Sequence, residues 1–66
     1  MNRAILRVTW NPDRRVWAVV RGRTVGFESA EKEVAEGEAV SFGKDLRPAL
    51  VLVENAEGDV MKTIRC

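Results

Sequence analysis

The chain of 66 residues predicts one small α+β domain, residues 1–66. In it, one helix packs on one face of an antiparallel sheet of four strands, or of five if a short segment after the first hairpin also pairs. Three observations predict this class. Two segments rich in β-branched residues flank an Asn-Pro-Asp turn, an alanine- and glutamate-rich helical segment follows, and two apolar segments flank a second turn. The predicted order is β-β-(β)-α-β-β.

The first two elements form an antiparallel hairpin. Strands are expected over about 3–10 and 15–21, because AILRVTW and RVWAVVR are rich in residues that favour strands. The NPDR sequence between them places Asn, Pro and Asp where a type I turn prefers them. Gly22-Arg23 predicts another turn, and TVGF (24–27) is a short third strand or an extended lead-in.

The helix is expected over residues 30–46. Ser29 is a credible N-cap, and Glu31 and Glu33 lie in the first turn, where the helix dipole favours anions. Gly43 offers an alternative C-terminus one turn before Leu46, and Pro48 bars continuation. One apolar stripe at helical spacing should face the sheet: Ala35, Ala39, Phe42 and Leu46.

The last two elements form a second hairpin. ALVLVE (49–54) and DVMKTIR (59–65) are the expected strands. The NAEG turn between them supplies Gly58 for a left-handed position.

Charge is divided unevenly along the chain. Residues 1–23 carry six arginines against Asp13, which gives +5, and residues 24–66 carry a net −4, so that the whole chain has +1. Such asymmetry indicates an electrostatic partner for one half. Arginine suits phosphate and carboxylate partners because its guanidinium presents a planar fork of donors.

The register of the first hairpin decides what each face presents, because a slip by one residue exchanges the faces. A three-residue loop pairing Asn11 with Arg15 separates an apolar Trp10 face from a basic Trp17 face, and requires Arg14 in the left-handed conformation. A four-residue loop pairing Trp10 with Arg15 places both tryptophans on one face. It leaves charge on the other face, where Arg3, Arg7 and Thr9 lie among Val16, Ala18 and Val20. We favour the three-residue loop. It predicts a nucleic-acid or partner surface of Arg7, Arg15, Trp17, Arg21 and Arg23.

The same register leaves one sheet face without a helix. That face would expose too many apolar side chains to be left to water. Its expected role is a homodimer or partner interface built from Ile5, Trp17, Val19, Val51, Val53 and Met61.

Several function classes are disfavoured. The chain has no histidine, no tyrosine and one cysteine, so neither a nucleophile with its base nor a zinc ligand set is evident. We therefore expect no enzyme, no cofactor, no metal and no small-molecule substrate. The lone thiol, the absence of a signal-peptide pattern and the lack of an apolar run of about 20 residues predict a cytoplasmic protein without a membrane span.

Several residues resemble a known pattern. Trp17-Ala-Val, Phe27-x-Ser29 before the helix, Leu50-Val-Leu-Val and Gly58-Asp-Val are similar to a family of short bacterial proteins of unknown function. The resemblance covers roughly residues 8–64 and implies a β-β-α-β-β architecture without an assigned activity. Val34 departs from it, because alanine is usual there. Residues 4–42 also show a weaker likeness to the arm-binding domains of phage-type integrases, which lay a sheet in a DNA groove.

The resulting functional expectation is a non-catalytic interaction module. It would self-associate or dock a protein through its uncovered sheet face. The alternative is nucleic-acid binding through the N-terminal hairpin, either as a monomer or as a dimer.

Overall fold

The computed structural model describes residues 3–66 and contains one five-stranded sheet with one helix. The elements in chain order are β1 (Ala4–Asn11), β2 (Val16–Arg21), β3 (Thr24–Ser29), α1 (Lys32–Asp45), β4 (Ala49–Glu54) and β5 (Val60–Arg65). The α+β class and the single helix are confirmed. The segment after the first hairpin is a strand and a full member of the sheet, so the order is β-β-β-α-β-β.

The sheet is mixed, and the expectation of a wholly antiparallel sheet is wrong. Strand order across the sheet is β3-β2-β1-β4-β5, and β4 lies parallel to β1. The reason is the direction of the chain. In the meander β1-β2-β3 the first and third strands run the same way, and one crossover helix returns the chain so that the next strand repeats that direction. A β4 placed beside β1 must therefore be parallel to it.

The helix lies over one face, and the core forms beneath it. Its predicted stripe is confirmed, since Ala35 and Ala39 are fully buried and Phe42 and Leu46 pack against the same cluster. The sheet contributes the larger buried side chains: Leu6, Val8, Val19, Val51 and Val53.

The helix boundaries differ from the prediction at the N-terminus. Ser29 still belongs to β3, and its Oγ accepts a hydrogen bond from the Glu31 backbone N–H at 3.1 Å. Glu31 is the N-cap residue, without a side-chain capping bond. Pairing of β3 with β2 extends to Ser29 opposite Trp17 and so delays the helix start.

Gly43 is not a cap, because α1 continues to Asp45 with Leu46 as its C-cap. It is buried instead, and a Cβ atom there would lie 2.7 Å from Cys66 Sγ. The glycine allows the C-terminal residue to pack directly on the helix backbone. Cys66 in turn exchanges two backbone hydrogen bonds with Ala49.

No helix within residues 3–66 combines the length and the apolar character that crossing a membrane requires.

Candidate interaction surfaces

The turn of the first hairpin determines which face each side chain occupies. Asn11 pairs with Val16, so the loop has four residues, Pro12 to Arg15. Asn11 Oδ1 accepts hydrogen bonds from the backbone N–H groups of Asp13 at 3.0 Å and Arg14 at 3.2 Å. Arg15 takes the left-handed conformation, with φ of 56°. The favoured three-residue loop, with Arg14 in that conformation, is therefore wrong. The loop has the four residues of the alternative, but Trp10 pairs with Trp17 and not with Arg15.

This register places both tryptophans on the helix-covered face. Trp10 pairs with Trp17 across the two strands, and their ring centroids lie 5.2 Å apart at an interplanar angle of 52°. The Lys32 Nζ atom, in the first turn of α1, lies 4.6 Å from the Trp17 ring centroid. The indole is thus held between its cross-strand partner and a helix cation, in the arrangement of a cation–π contact.

The residues predicted to form one basic surface do not come together. Arg7 lies on the sheet face opposite Trp17, because alternation separates it from Leu6 and Val8 of the core. Arg15 is in the turn, whereas Arg21 and Arg23 lie at the other end of β2. Four residues of extended chain separate Trp17 from Arg21, a distance of roughly 13 Å. A phosphate backbone could not contact all of them from one side.

Most of the predicted dimer face lies in the core. Val19, Val51 and Val53 are at most 2% exposed beneath the helix, and Trp17 packs against that cluster. Ile5 and Met61 are exposed, at 41% and 65% respectively. The strand β1 presents the predicted residues to each face, but β2 and β4 do not. Trp10 pairs with Trp17, and Leu6 pairs with Val51, so these residues of β2 and β4 lie on the core side of β1.

Within residues 3–66 an uncovered apolar face nevertheless exists, with the predicted positions of β1 and the opposite positions of β2 and β4. We call it the open face. Pairing places Ile5 beside Leu50, and Arg7 between Val20 and Leu52. Ile5 is exposed, Ala18 is buried, and the other apolar side chains of this face are half-buried. Neighbouring side chains of the sheet provide this burial. The members of the open face are Ile5, Arg7, Val16, Ala18, Val20, Leu50, Leu52 and Glu54.

An ion pair lies among these apolar residues. Arg7 Nε and Nη2 both contact Glu54 Oε2, at 2.7 and 2.6 Å. Glu54 is only 2% exposed, whereas half of the Arg7 side chain reaches solvent. This pair explains how the open face tolerates a charge in an apolar strand, because a buried carboxylate is stable only when it is paired. Glu54 was missed as a site residue; its position at the end of a buried strand, ALVLVE, was the available signal.

Two further ion pairs lie elsewhere among the described residues. Arg14 Nη2 contacts Glu28 Oε1 at 3.0 Å between the first turn and β3, and Lys62 Nζ contacts Glu36 Oε1 at 2.6 Å between β5 and the helix. Among the residues that the structure describes, His, Cys, Asp and Glu side chains form no group of three that could hold a metal ion.

Comparison of the chain with protein-family models, with curated proteins and with solved structures found no match. The resemblance to short bacterial proteins of unknown function accordingly stays a prediction.

Proposed function

We propose that this chain is a non-catalytic interaction module that self-associates by packing its open face against the open face of a second copy. The observation that carries the proposal is the one-sided cover of the sheet. Helix α1 buries one face, and in the part of the chain that the structure describes the other face presents Ile5, Val20, Leu50 and Leu52 without a covering element. Contiguous apolar surface of this kind marks interaction sites.

Charge on this face suits a second copy. The outward positions of the five strands include Arg7 and Arg65 as bases and Glu28 and Glu54 as acids. Two charges of each sign cancel, so two identical faces meet without net repulsion. The Arg7–Glu54 pair, already formed within one copy, brings no unpaired charge into the interface.

Area also favours a flat partner. Five strands about 4.8 Å apart and about 20 Å long present roughly 500 Å² in projection. A standard interface buries about 800 Å² of accessible surface on each partner. The accessible surface of a sheet face is larger than its projected area, because the side chains make the face uneven. Nearly complete overlap of two sheets can therefore bury about 800 Å² of accessible surface on each partner. A second identical sheet provides that overlap, whereas a narrow peptide does not.

The test replaces one open-face residue and measures mass in solution. Wild type should sediment as a dimer, and Leu52→Lys as a folded monomer, because two facing lysines would be desolvated at the interface. Val34→Lys is the matched control, since Val34 is an exposed valine on the helix and should leave the dimer intact. Ile5→Lys provides a second, less buried site if Leu52→Lys loses its circular-dichroism signal. A wild-type chain that remains monomeric at millimolar concentration contradicts the proposal.

Nucleic-acid binding, the alternative expectation, has no comparable support. Its arginines are distributed over both faces and both ends of the hairpin, and one of them is engaged by Glu54. The positive charge of residues 1–23 is the feature that still favours it.

A further inference from the structure

A groove on the helix side of the sheet shares only Ile5 with the open face. It lies where β1 begins, β2 ends and α1 reaches its C-terminus, and its volume is about 920 Å³. Small-molecule sites typically have about 300–1,000 Å³ and combine apolar walls with a few polar groups. The groove is thus large enough to hold a ligand of modest size.

The walls are mainly apolar. Phe42 and Leu46 contribute accessible surface from the helix, and Leu6 and Val19, at most 2% exposed, lie beneath them in the sheet. Gly26 of β3 keeps the opposite side open, because a Cβ atom there would lie 3.6 Å from Phe42 Cε2, in ordinary contact with the ring. Any side chain longer than alanine at position 26 would enter the space beside Phe42.

The charged groups that line the groove are Arg3, Arg21 and Asp45. Within residues 3–66 the ion pairs involve other residues, so both guanidinium groups are available to a ligand. Two positive groups against one negative group leave a net positive groove. Asp45 and the last carbonyl groups of α1 carry negative charge on the helix wall. A bound anion should therefore lie against the wall of β1 and β2.

We propose that this groove binds a small amphiphilic monoanion, with its carboxylate at Arg21 and Arg3 and its apolar body against Phe42 and Leu46. Arginine favours carboxylates because it donates two parallel hydrogen bonds. The apolar body gains from removal of hydrocarbon surface from water. The proposal can be tested separately from the dimer, because Arg21, Phe42 and Leu46 belong to the helix side of the sheet and the groove shares only Ile5 with the open face.

The experiment titrates ¹⁵N-labelled protein with decanoate below its micelle concentration and follows backbone amide shifts. Decanoate should shift the amides of Gly22, Gly26 and Leu46. Decylammonium, which has the same chain length and the opposite charge, should bind at least tenfold more weakly. Decanoate shifts centred on Leu50 and Leu52, or equal affinity for the two probes, would overturn the proposal.

Variants identify the groups responsible. Arg21→Gln should weaken decanoate binding about tenfold through loss of a charge-assisted contact. Arg23→Gln is the matched control, because Arg23 lies in the same turn but does not line the groove, and its affinity should be unchanged. Asp45→Asn should tighten binding about two- to fivefold, because it removes a like charge at an exposed site. Unchanged affinity in Arg21→Gln contradicts the assignment of the anion to this wall.

Gly26→Leu tests the apolar part of the groove. The added side chain should abolish decanoate binding while the thermal transition stays cooperative. Undiminished decanoate binding by folded Gly26→Leu would overturn the placement of the ligand. The same titration on Leu52→Lys distinguishes the two proposals, because a monomer with an intact groove should bind decanoate as wild type does.

Discussion

The two faces of the sheet have nearly the same residue types but different surroundings, because the helix covers only one of them. The covered face contains valines and a leucine fully buried under two alanines of α1, in the close packing of a domain core. The open face contains leucine, isoleucine and valine at comparable density, but shields them only with neighbours and one ion pair. Composition therefore does not distinguish core from contact surface here. The presence of the helix does.

The largest expected effect comes from placing the same charge on the two faces. Val51 and Leu52 are adjacent, yet Val51 is fully buried beneath Gly43 and Leu52 belongs to the open face. Val51→Lys should unfold the domain, because an unpaired buried charge costs several kcal/mol and a domain of this size has about that much stability. Chemical denaturation followed by circular dichroism measures it. A folded Val51→Lys, or a Leu52→Lys that is destabilised equally, would show that the faces are wrongly assigned.

A smaller effect should separate the partners of the Arg7–Glu54 pair. Arg7→Met leaves a carboxylate that is 2% exposed without its cation, and should cost about 2–3 kcal/mol. Glu54→Gln keeps a hydrogen-bonding oxygen and leaves the Arg7 guanidinium unpaired. Because half of the Arg7 side chain is already in water, this substitution should lower the free energy of unfolding by less, about 1 kcal/mol. Urea denaturation at neutral pH compares the two. Equal costs would indicate that Glu54 is solvated in solution.

The smallest effect contrasts two glycines of α1. Gly37 is exposed, and a Cβ atom added there would have no neighbouring atom within 4 Å, so Gly37→Ala should stabilise the domain by about 0.5–1 kcal/mol. Gly43→Ala gains the same helix propensity but pushes against Cys66 and Val51, and should destabilise instead. Thermal melts of both variants test whether Cys66 packs on the helix. Equal stabilisation by both substitutions would contradict that packing.

Local patterns predicted most of the elements. Turn residues at 11–13 and 55–58 located both hairpins, and the spacing of Ala35, Ala39, Phe42 and Leu46 located the buried side of the helix. These features depend on interactions between residues close in the chain, which the order of side chains specifies directly. The existence of an uncovered apolar sheet face followed in the same way, because one helix covers one face.

Only the tertiary structure decided which residues occupy that face. Asn11 closes a four-residue turn through its side chain, and the resulting register places Trp17 beneath α1. The parallel pairing of β4 with β1 places Leu52 beside Arg7, on the face away from the helix. From the sequence, this hairpin register is disfavoured because it places the charged Arg7 among apolar side chains. In the structure Arg7 pairs with Glu54, 47 positions away along the chain, and this ion pair accommodates the charge. The parallel pairing of β1 with β4 brings these two residues together. Sequence alternation determines that two faces exist; contacts between distant residues determine which one the helix covers.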